Sequence, residues 1–253
     1  MSRPGPAYTS NLLLNAMAPE DLDLLKPSLV RIKLERELVL HGANQPIEHI
    51  YFPEGGIASI VSVRPESGRT EIGIFGREGV SGTPVFVGVD RSPYETFIQV
   101  DGSDALRIET DKLLDAIERS PAVRSLLQAY VQVTSVQAAS CAIGNAHHRL
   151  EARLARWLVM CHDRIEGDEL ALTHDFMAMM IASQRSGVTV TLHVLEGIGA
   201  IRSKRGRVII LDREKLEELA GDAYGEPEGE YRRLIGPFGR EGSVLPFKER
   251  RPG

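Results

Sequence analysis

The 253-residue sequence predicts an α+β protein in three parts: a β-rich N-terminal roll, a single long helix, and a C-terminal unit of short helices and a hairpin. Three observations carry this. Short β-branched segments separated by glycine turns fill roughly residues 29–108. A helical period runs without interruption from Pro121 to about Ala146. Two short helical stretches with a three-residue break, followed by a basic hairpin, occupy about residues 173–211.

The composition agrees with a globular protein. Hydrophobic residues make up 42% and charged residues 26%, which suffices for a proper core. No apolar run reaches the roughly 18 residues of a membrane span. Met1 to Tyr8 holds no hydrophobic run, so no signal peptide is expected and the cytoplasm is the expected location. Two cysteines are too few for a disulfide scaffold or a four-cysteine metal site.

In chain order, residues up to about Ser10 read as a loose end. Pro19-Glu20-Asp21-Leu22 opens a short helix, with proline at its first position and acids in its first turn. Strands are expected at Leu38–Leu40, Ile47–Phe52, Ile57–Val63, Glu71–Phe75, Thr96–Val100 and Ala105–Ile108. Turns are expected at Pro53-Glu54-Gly55-Gly56, Glu66-Ser67-Gly68 and Asp101-Gly102. This spacing suits a small antiparallel sandwich or barrel.

In the long helix, Val123, Leu126, Tyr130, Val133, Gln137, Ser140 and Gly144 form one face, and Leu127, Val131, Ala138 and Cys141 a second. Two apolar faces ask for two covers. The β-roll and a second copy of the chain would supply them, and a core helix in a monomer is the alternative. The expected division is a roll over 11–116, a dimerisation helix over 117–147, a helix-turn-helix unit over 148–236 and a mobile tail over 237–253.

Leu150, Leu154, Trp157, Leu158, Cys161 and Ile165 mark the next helix, which Glu166-Gly167-Asp168 breaks. Thr173 is placed to cap a helix from His174 to Ile181. Ala182-Ser183-Gln184 breaks it, with Ser183 as a cap candidate, and a second helix runs from Arg185 to Glu196 with Val188, Leu192 and Leu195 inward. A strand pair, Ile198–Arg202 and Arg207–Leu211, turns at Gly206, and Asp212 caps a final helix. This order is a winged helix-turn-helix, a unit that places its second helix in a DNA major groove.

The charge distribution supports that reading. The chain carries net charge −5, but residues 148–213 hold 10 basic and 8 acidic side chains and form its one positive segment. Arg202, Lys204, Arg205 and Arg207 crowd the hairpin, where phosphate contact is expected. The expected DNA-binding residues are Thr173, Gln184, Arg185, Ser186, Thr189, His193, Lys204 and Arg205. No enzyme is expected. Gly79-Val80-Ser81-Gly82-Thr83 approaches G-x-S-x-G but lacks the last glycine, and no dinucleotide fingerprint or P-loop occurs. The histidines show no metal-type pairing, and neither a metal nor a cofactor is expected.

Leu172-Thr173 through Ile201, and the Arg205-Gly206-Arg207-Val208-Ile209-Ile210-Leu211 wing with Asp212, resemble the Crp/Fnr family of bacterial transcription regulators. The resemblance extends over nearly the whole chain. It implies a cyclic-nucleotide-binding-like β-roll, a long dimerisation helix and a C-terminal winged helix-turn-helix. It also implies a homodimer on an inverted-repeat operator in double-stranded DNA, with RNA polymerase as a further partner. Arg185 falls on the family's base-contacting arginine. Ser186 replaces the following acid and Val190 the second arginine, so the usual half-site is not carried over.

The roll departs further. Gly76-Arg77-Glu78-Gly79 lies where the phosphate cassette would be, with Arg77 at the place of the ribose-binding glutamate and Glu78 one position late. Arg91-Ser92 resembles the phosphate-binding pair at a spacing about one residue off, and Ala138-Ala139 replaces the Thr-Ser pair that meets the base. Gly76, Arg77, Glu78, Gly79 and Arg91 are thus the candidate ligand residues of a degenerate pocket. The alternative function is a cyclic-nucleotide-binding signalling module whose winged helix serves protein contacts.

Overall fold

A computed structural model describes residues 8–64, 68–100 and 104–240. The chain opens with α1 (Leu12–Asn15) and α2 (Pro19–Leu25). Seven strands follow: β1 (Val30–Lys33), β2 (Val39–His41), β3 (His49–Pro53), β4 (Ile57–Arg64), β5 (Gly68–Phe75), β6 (Glu95–Val100) and β7 (Asp104–Glu109). Next come α3 (Thr110–Arg119), α4 (Pro121–His147) and α5 (Leu150–His162). The C-terminal part holds β8 (Glu169–Leu170), α6 (His174–Met180), α7 (Arg185–Gly197), β9 (Ile201–Lys204), β10 (Arg207–Ile210), α8 (Arg213–Ala220) and α9 (Glu226–Leu234).

The roll is two antiparallel sheets, β1-β7-β3 and β2-β6-β4-β5. Strand β6 is buried on both faces, with Ile98 in a cluster with Phe75 and Ala105 and Phe97 in the cluster shared with the C-terminal helices, while alternation along β7 puts Leu106 and Ile108 on one buried face. The strand at 30–33 alternates apolar and basic residues but is only four residues long, and it is not among the expected ones. It pairs with β7 in the register Val30↔Arg107 to Lys33↔Asp104, as an edge strand with exposed charges. The end expected to be loose up to Ser10 is held from Thr9, which is buried and donates to Glu54 Oε1 at 2.8 Å, and the N-cap of α1, Asn11, is fully buried and accepts from the Leu14 N–H. Two of the expected turns, at 66–67 and 101–102, lie outside the described residues.

Helix α4 runs across the roll. Pro121 sits in its first turn, and the Ser120 hydroxyl caps the Val123 N–H. Val123, Leu127, Tyr130 and Val133 are buried in one cluster with Phe52, Leu106 and Leu113. Two polar contacts fix its rotation. Gln137 Oε1 accepts from the Ile74 N–H at 2.8 Å. Tyr130 lies so near Gly79 that a Cβ there would fall 2.0 Å from its hydroxyl. The first face read from the sequence therefore points into this subunit. So does Leu127 of the second face, with Val131 and Ala138 half-buried beside it. The outward side is a third stripe of Gln128, Gln132, Ser135, Ala139, Ala142, Ile143 and Ala146, all exposed.

The C-terminal unit packs back on the roll. Trp157 of α5 donates its indole N–H to the Glu71 carboxylate of β5 at 3.1 Å. Phe176 of α6 meets Phe97 edge-on, with ring centroids 6.4 Å apart. Helix α5 ends at His162, so Ile165 lies beyond it rather than on its face. The wing has a third strand, since β8 pairs with β10 through Leu170↔Val208. Helix α8 is not the last helix. Asp212 does cap it through the Lys215 N–H, but Gly221 and Gly225 at positive φ turn the chain into α9, which lies against α4. Gly225-Glu226-Pro227 is a helix start with proline in the first turn. The tail expected from residue 237 is docked at its start. Phe238 is buried on Tyr231, and Arg240 pairs with Asp168 at 3.1 Å. Residues 241–253 lie outside the description.

Candidate nucleic-acid interface

Helix α6 begins where expected, with Thr173 Oγ1 accepting from the Phe176 N–H at 3.2 Å. The turn to α7 is tight. Ala182 takes a left-handed φ of 46°, and the Ser183 N–H reaches back to Ala178 O at 2.9 Å. Arg153 of α5 binds the Ile181 carbonyl of the same turn. Neither Ala182 nor Arg153 announces itself in the sequence, because one is an ordinary alanine and the other lies about 28 residues away. The N-cap of α7 is Gln184, not Ser183, and it makes no side-chain capping bond. Its side chain stays exposed at the start of the helix.

Inside α7, Val188, Thr191, Leu192 and Leu195 are buried. Their spacing forces Arg185, Ser186, Val190, His193 and Val194 to the outside, all exposed, with Thr189 half-exposed beside them. Arg185 is 67% exposed at its side chain and touches Asp175 Oδ1 at 3.1 Å. A surface pair of that kind contributes about 0–1 kcal/mol, so the guanidinium can exchange it for a better partner. Thr189 is less free. Its hydroxyl donates to Arg185 O at 3.0 Å and hydrogen-bonds His174 Nδ1 at 2.9 Å. His174, outside the expected set, thereby steadies the middle of the exposed face.

The wing is fixed to the end of the same helix. Glu196 accepts from the Ser203 N–H at 2.6 Å, and the Ala200 N–H donates to Leu195 O at 3.0 Å. Gly206 supplies the positive φ, 75°, that the two-residue turn between β9 and β10 requires. Arg202, Lys204 and Arg205 are exposed around this tip, while Arg207 is paired with Glu169 at 3.0 Å. Arg185, Ser186 and His193 are thus exposed along α7, and Lys204 and Arg205 are exposed on the wing that is tied to the C-terminal end of that helix. Thr173 and Gln184 are exposed at the starts of α6 and α7.

The roll borders a second feature, an open cavity of about 410 Å³ between the sheet β2-β6-β4-β5, the segment 80–94 and α4. Arg91, Thr134, Ser135, Ala138 and His41 are among its lining residues. His41 is buried with Nε2 unpartnered, and burial, helped by His49, holds its pKa down at about 4. The other candidate ligand residues lie elsewhere. Glu78 is buried and pairs with Arg164 Nε at 2.9 Å while accepting from the Gly76 N–H at 3.1 Å. Gly79 is filled by Tyr130, and neither Gly76 nor Arg77 lines the cavity. Arg91 is exposed at the rim and held by Asp90 through contacts of 3.0 and 2.8 Å. The thiols of Cys141 and Cys161 are free and raised in pKa by burial. Among the described residues no group of three or more His, Cys, Asp or Glu is placed to hold a metal ion. No helix among them is long and apolar enough to cross a membrane.

Residues 152–219 match the Crp-like helix-turn-helix domain family. Three solved structures illustrate the likeness of the whole fold. A Crp/Fnr-family transcriptional regulator from Eubacterium rectale is 18% identical with a TM-score of 0.63, the alignment covering 82% of this chain and 97% of that one. FixK2 from Bradyrhizobium japonicum is 15% identical with a TM-score of 0.63, covering 76% and 98%. A CRP-family transcriptional regulator from Thermus thermophilus, TTHB099, is 20% identical with a TM-score of 0.60, covering 76% and 96%. A search of curated proteins returns no significant match. The chain carries a Crp-like helix-turn-helix domain within the fold shared by the Crp/Fnr transcription regulators.

Proposed function

We propose that this chain is a sequence-specific DNA-binding transcription regulator that acts as a homodimer. The observation that carries the reading is the exposed face of α7, bearing Arg185, together with a wing bearing Lys204 and Arg205 that is hydrogen-bonded to the end of the same helix. A helix with a buried apolar side and a free polar side fits the major groove, and arginine is the commonest reader of guanine O6 and N7 there. Lysine and arginine on the wing reach phosphate oxygens, which position the protein without reading sequence. The work is binding rather than catalysis. The partners are operator DNA, a second copy and RNA polymerase, in the bacterial cytoplasm. The division of labour follows the expected spans: a roll over 11–116, the helix over 117–147 and the DNA-binding unit over 148–236.

The outward stripe of α4 supports the dimer. Residues 125–146 contain no Asp, Glu, Lys or Arg, and Ile143 is 52% exposed. A solvated helix of this length ordinarily carries charge on its free face, and a stripe of small and uncharged residues suits close approach of an identical helix. Nothing favours the rival reading of a cyclic-nucleotide module. Ala138 lines the cavity without a side-chain hydrogen-bonding group, and Glu78 is committed to Arg164.

Selection from random double-stranded DNA with the full-length protein tests the reading. An inverted repeat with half-sites about one helical turn apart is the expected product. Failure to enrich any sequence contradicts it.

A further inference from the structure

Helix α7 carries two valines in the open. Val190 is 64% exposed and Val194 43%, whereas the other long apolar side chains of the helix, Val188, Leu192 and Leu195, are fully buried. Val190 and Val194 stand four and eight residues after Ser186, on the outward side that also carries His193. A β-branched residue is a poor choice for an exposed helix position, because it loses side-chain freedom and leaves apolar surface in water. Valine offers neither a donor nor an acceptor, so it cannot serve a phosphate or a base edge by hydrogen bonding. The apolar group a major groove does present is the thymine 5-methyl.

We propose that Val190 reads the 5-methyl group of a thymine in each half-site, and that thymine is therefore a specificity element of the operator. The inference rests on the reading above, that α7 enters the major groove. Val190 is chosen over Val194 because residues near the N-terminus of a recognition helix reach base edges.

The test uses the operator recovered by selection. At each thymine position deoxyuridine is substituted symmetrically in both half-sites, which removes the methyl and nothing else. Binding is titrated by fluorescence anisotropy at fixed salt, with the wild-type protein, Val190→Ala and Val194→Ala. One thymine position is expected where wild-type affinity drops about fourfold per half-site, the effect of one buried carbon lost. Val190→Ala is expected to bind the thymine and uracil operators alike, and Val194→Ala to keep the wild-type drop. Alanine is a better helix former than valine, so the variants keep the fold. A wild-type protein indifferent to uracil at every position overturns the proposal, as does a Val190→Ala protein that keeps the full drop. Tight, sequence-specific binding without any methyl dependence defeats this inference alone. A selection that enriches no sequence defeats it together with the DNA-binding reading.

Discussion

A glycine in the interior of α7 costs about 1 kcal/mol relative to alanine. Gly187 has a packing reason that its sequence neighbours do not disclose. A Cβ there would lie 3.0 Å from Leu150 Cδ2 and 3.3 Å from Ser183 Oγ, so the missing side chain lets α7 close on the start of α5. Glu78 and Glu71 teach the same lesson. Local spacing marks Glu78 as a displaced ligand residue, but its partner Arg164 stands 86 residues on, beyond the reach of any local pattern. Thr173 and Asp212 are legible because capping is a contact between residues three apart. Glu71 is fully buried, and loss of hydration pushes its pKa up to about 8 despite the Trp157 N–H bond and the nearby Arg156 and Arg164. The native state therefore holds a proton that the unfolded chain releases above about pH 4.5. Glu71 contributes stability at low pH that is lost as pH rises through about 8. Glu71→Gln should remove this share, a slope of at most about 1.4 kcal/mol per pH unit. Urea unfolding of both proteins at about pH 5.5 and about pH 8 measures it. The variant's stability relative to wild type should rise with pH, and a constant difference would contradict the assignment.

At the scale of elements, periodicity finds α4, α5, α6 and α7 and most strands, because each buries one face at a regular interval. It fails where the period is uninformative. An edge strand such as β1 buries little, and α9 hides behind glycine and proline that serve as its cap and first turn. The faces of α4 are misassigned from sequence for a related reason. Most positions between 121 and 147 are apolar or small, so spacing alone cannot say which side meets the roll. Contacts from Tyr130 and Gln137 settle that, and they direct mutagenesis elsewhere than apolarity would. Val133→Asp should unfold the roll-helix core, because an unpaired buried charge costs several kcal/mol. Ile143→Asp should leave a folded protein, with near-wild-type circular dichroism, that sediments as a monomer at micromolar concentration. A dimeric Ile143→Asp protein would show that another surface holds the two copies together.

Across the whole molecule, the helix-turn-helix unit is joined to the roll by an apolar core that contains Phe97, Phe176, Met180 and Trp157. A buried charged set lies at the same junction. Arg164 bridges Glu78 of the roll, the Met160 carbonyl of α5 and the ring of Phe238 beyond α9. The order of parts is legible from sequence, since each has its own period and turn chemistry. Their docking is not, because it depends on ion pairs and aromatic contacts between segments far apart in the chain. In the proposed function α7 reads bases and the wing holds phosphates. The most direct measurement is a set of anisotropy titrations with the selected operator and a scrambled duplex at several salt concentrations. It compares the wild-type protein with Arg185→Ala and with the Lys204→Ala/Arg205→Ala double variant. Arg185→Ala should lose about 1–3 kcal/mol on the operator and much less on the scrambled duplex. The wing variant should weaken on both alike, with a salt slope smaller by about one per phosphate contact removed. An Arg185→Ala protein that keeps the full preference for operator over scrambled DNA would contradict the account.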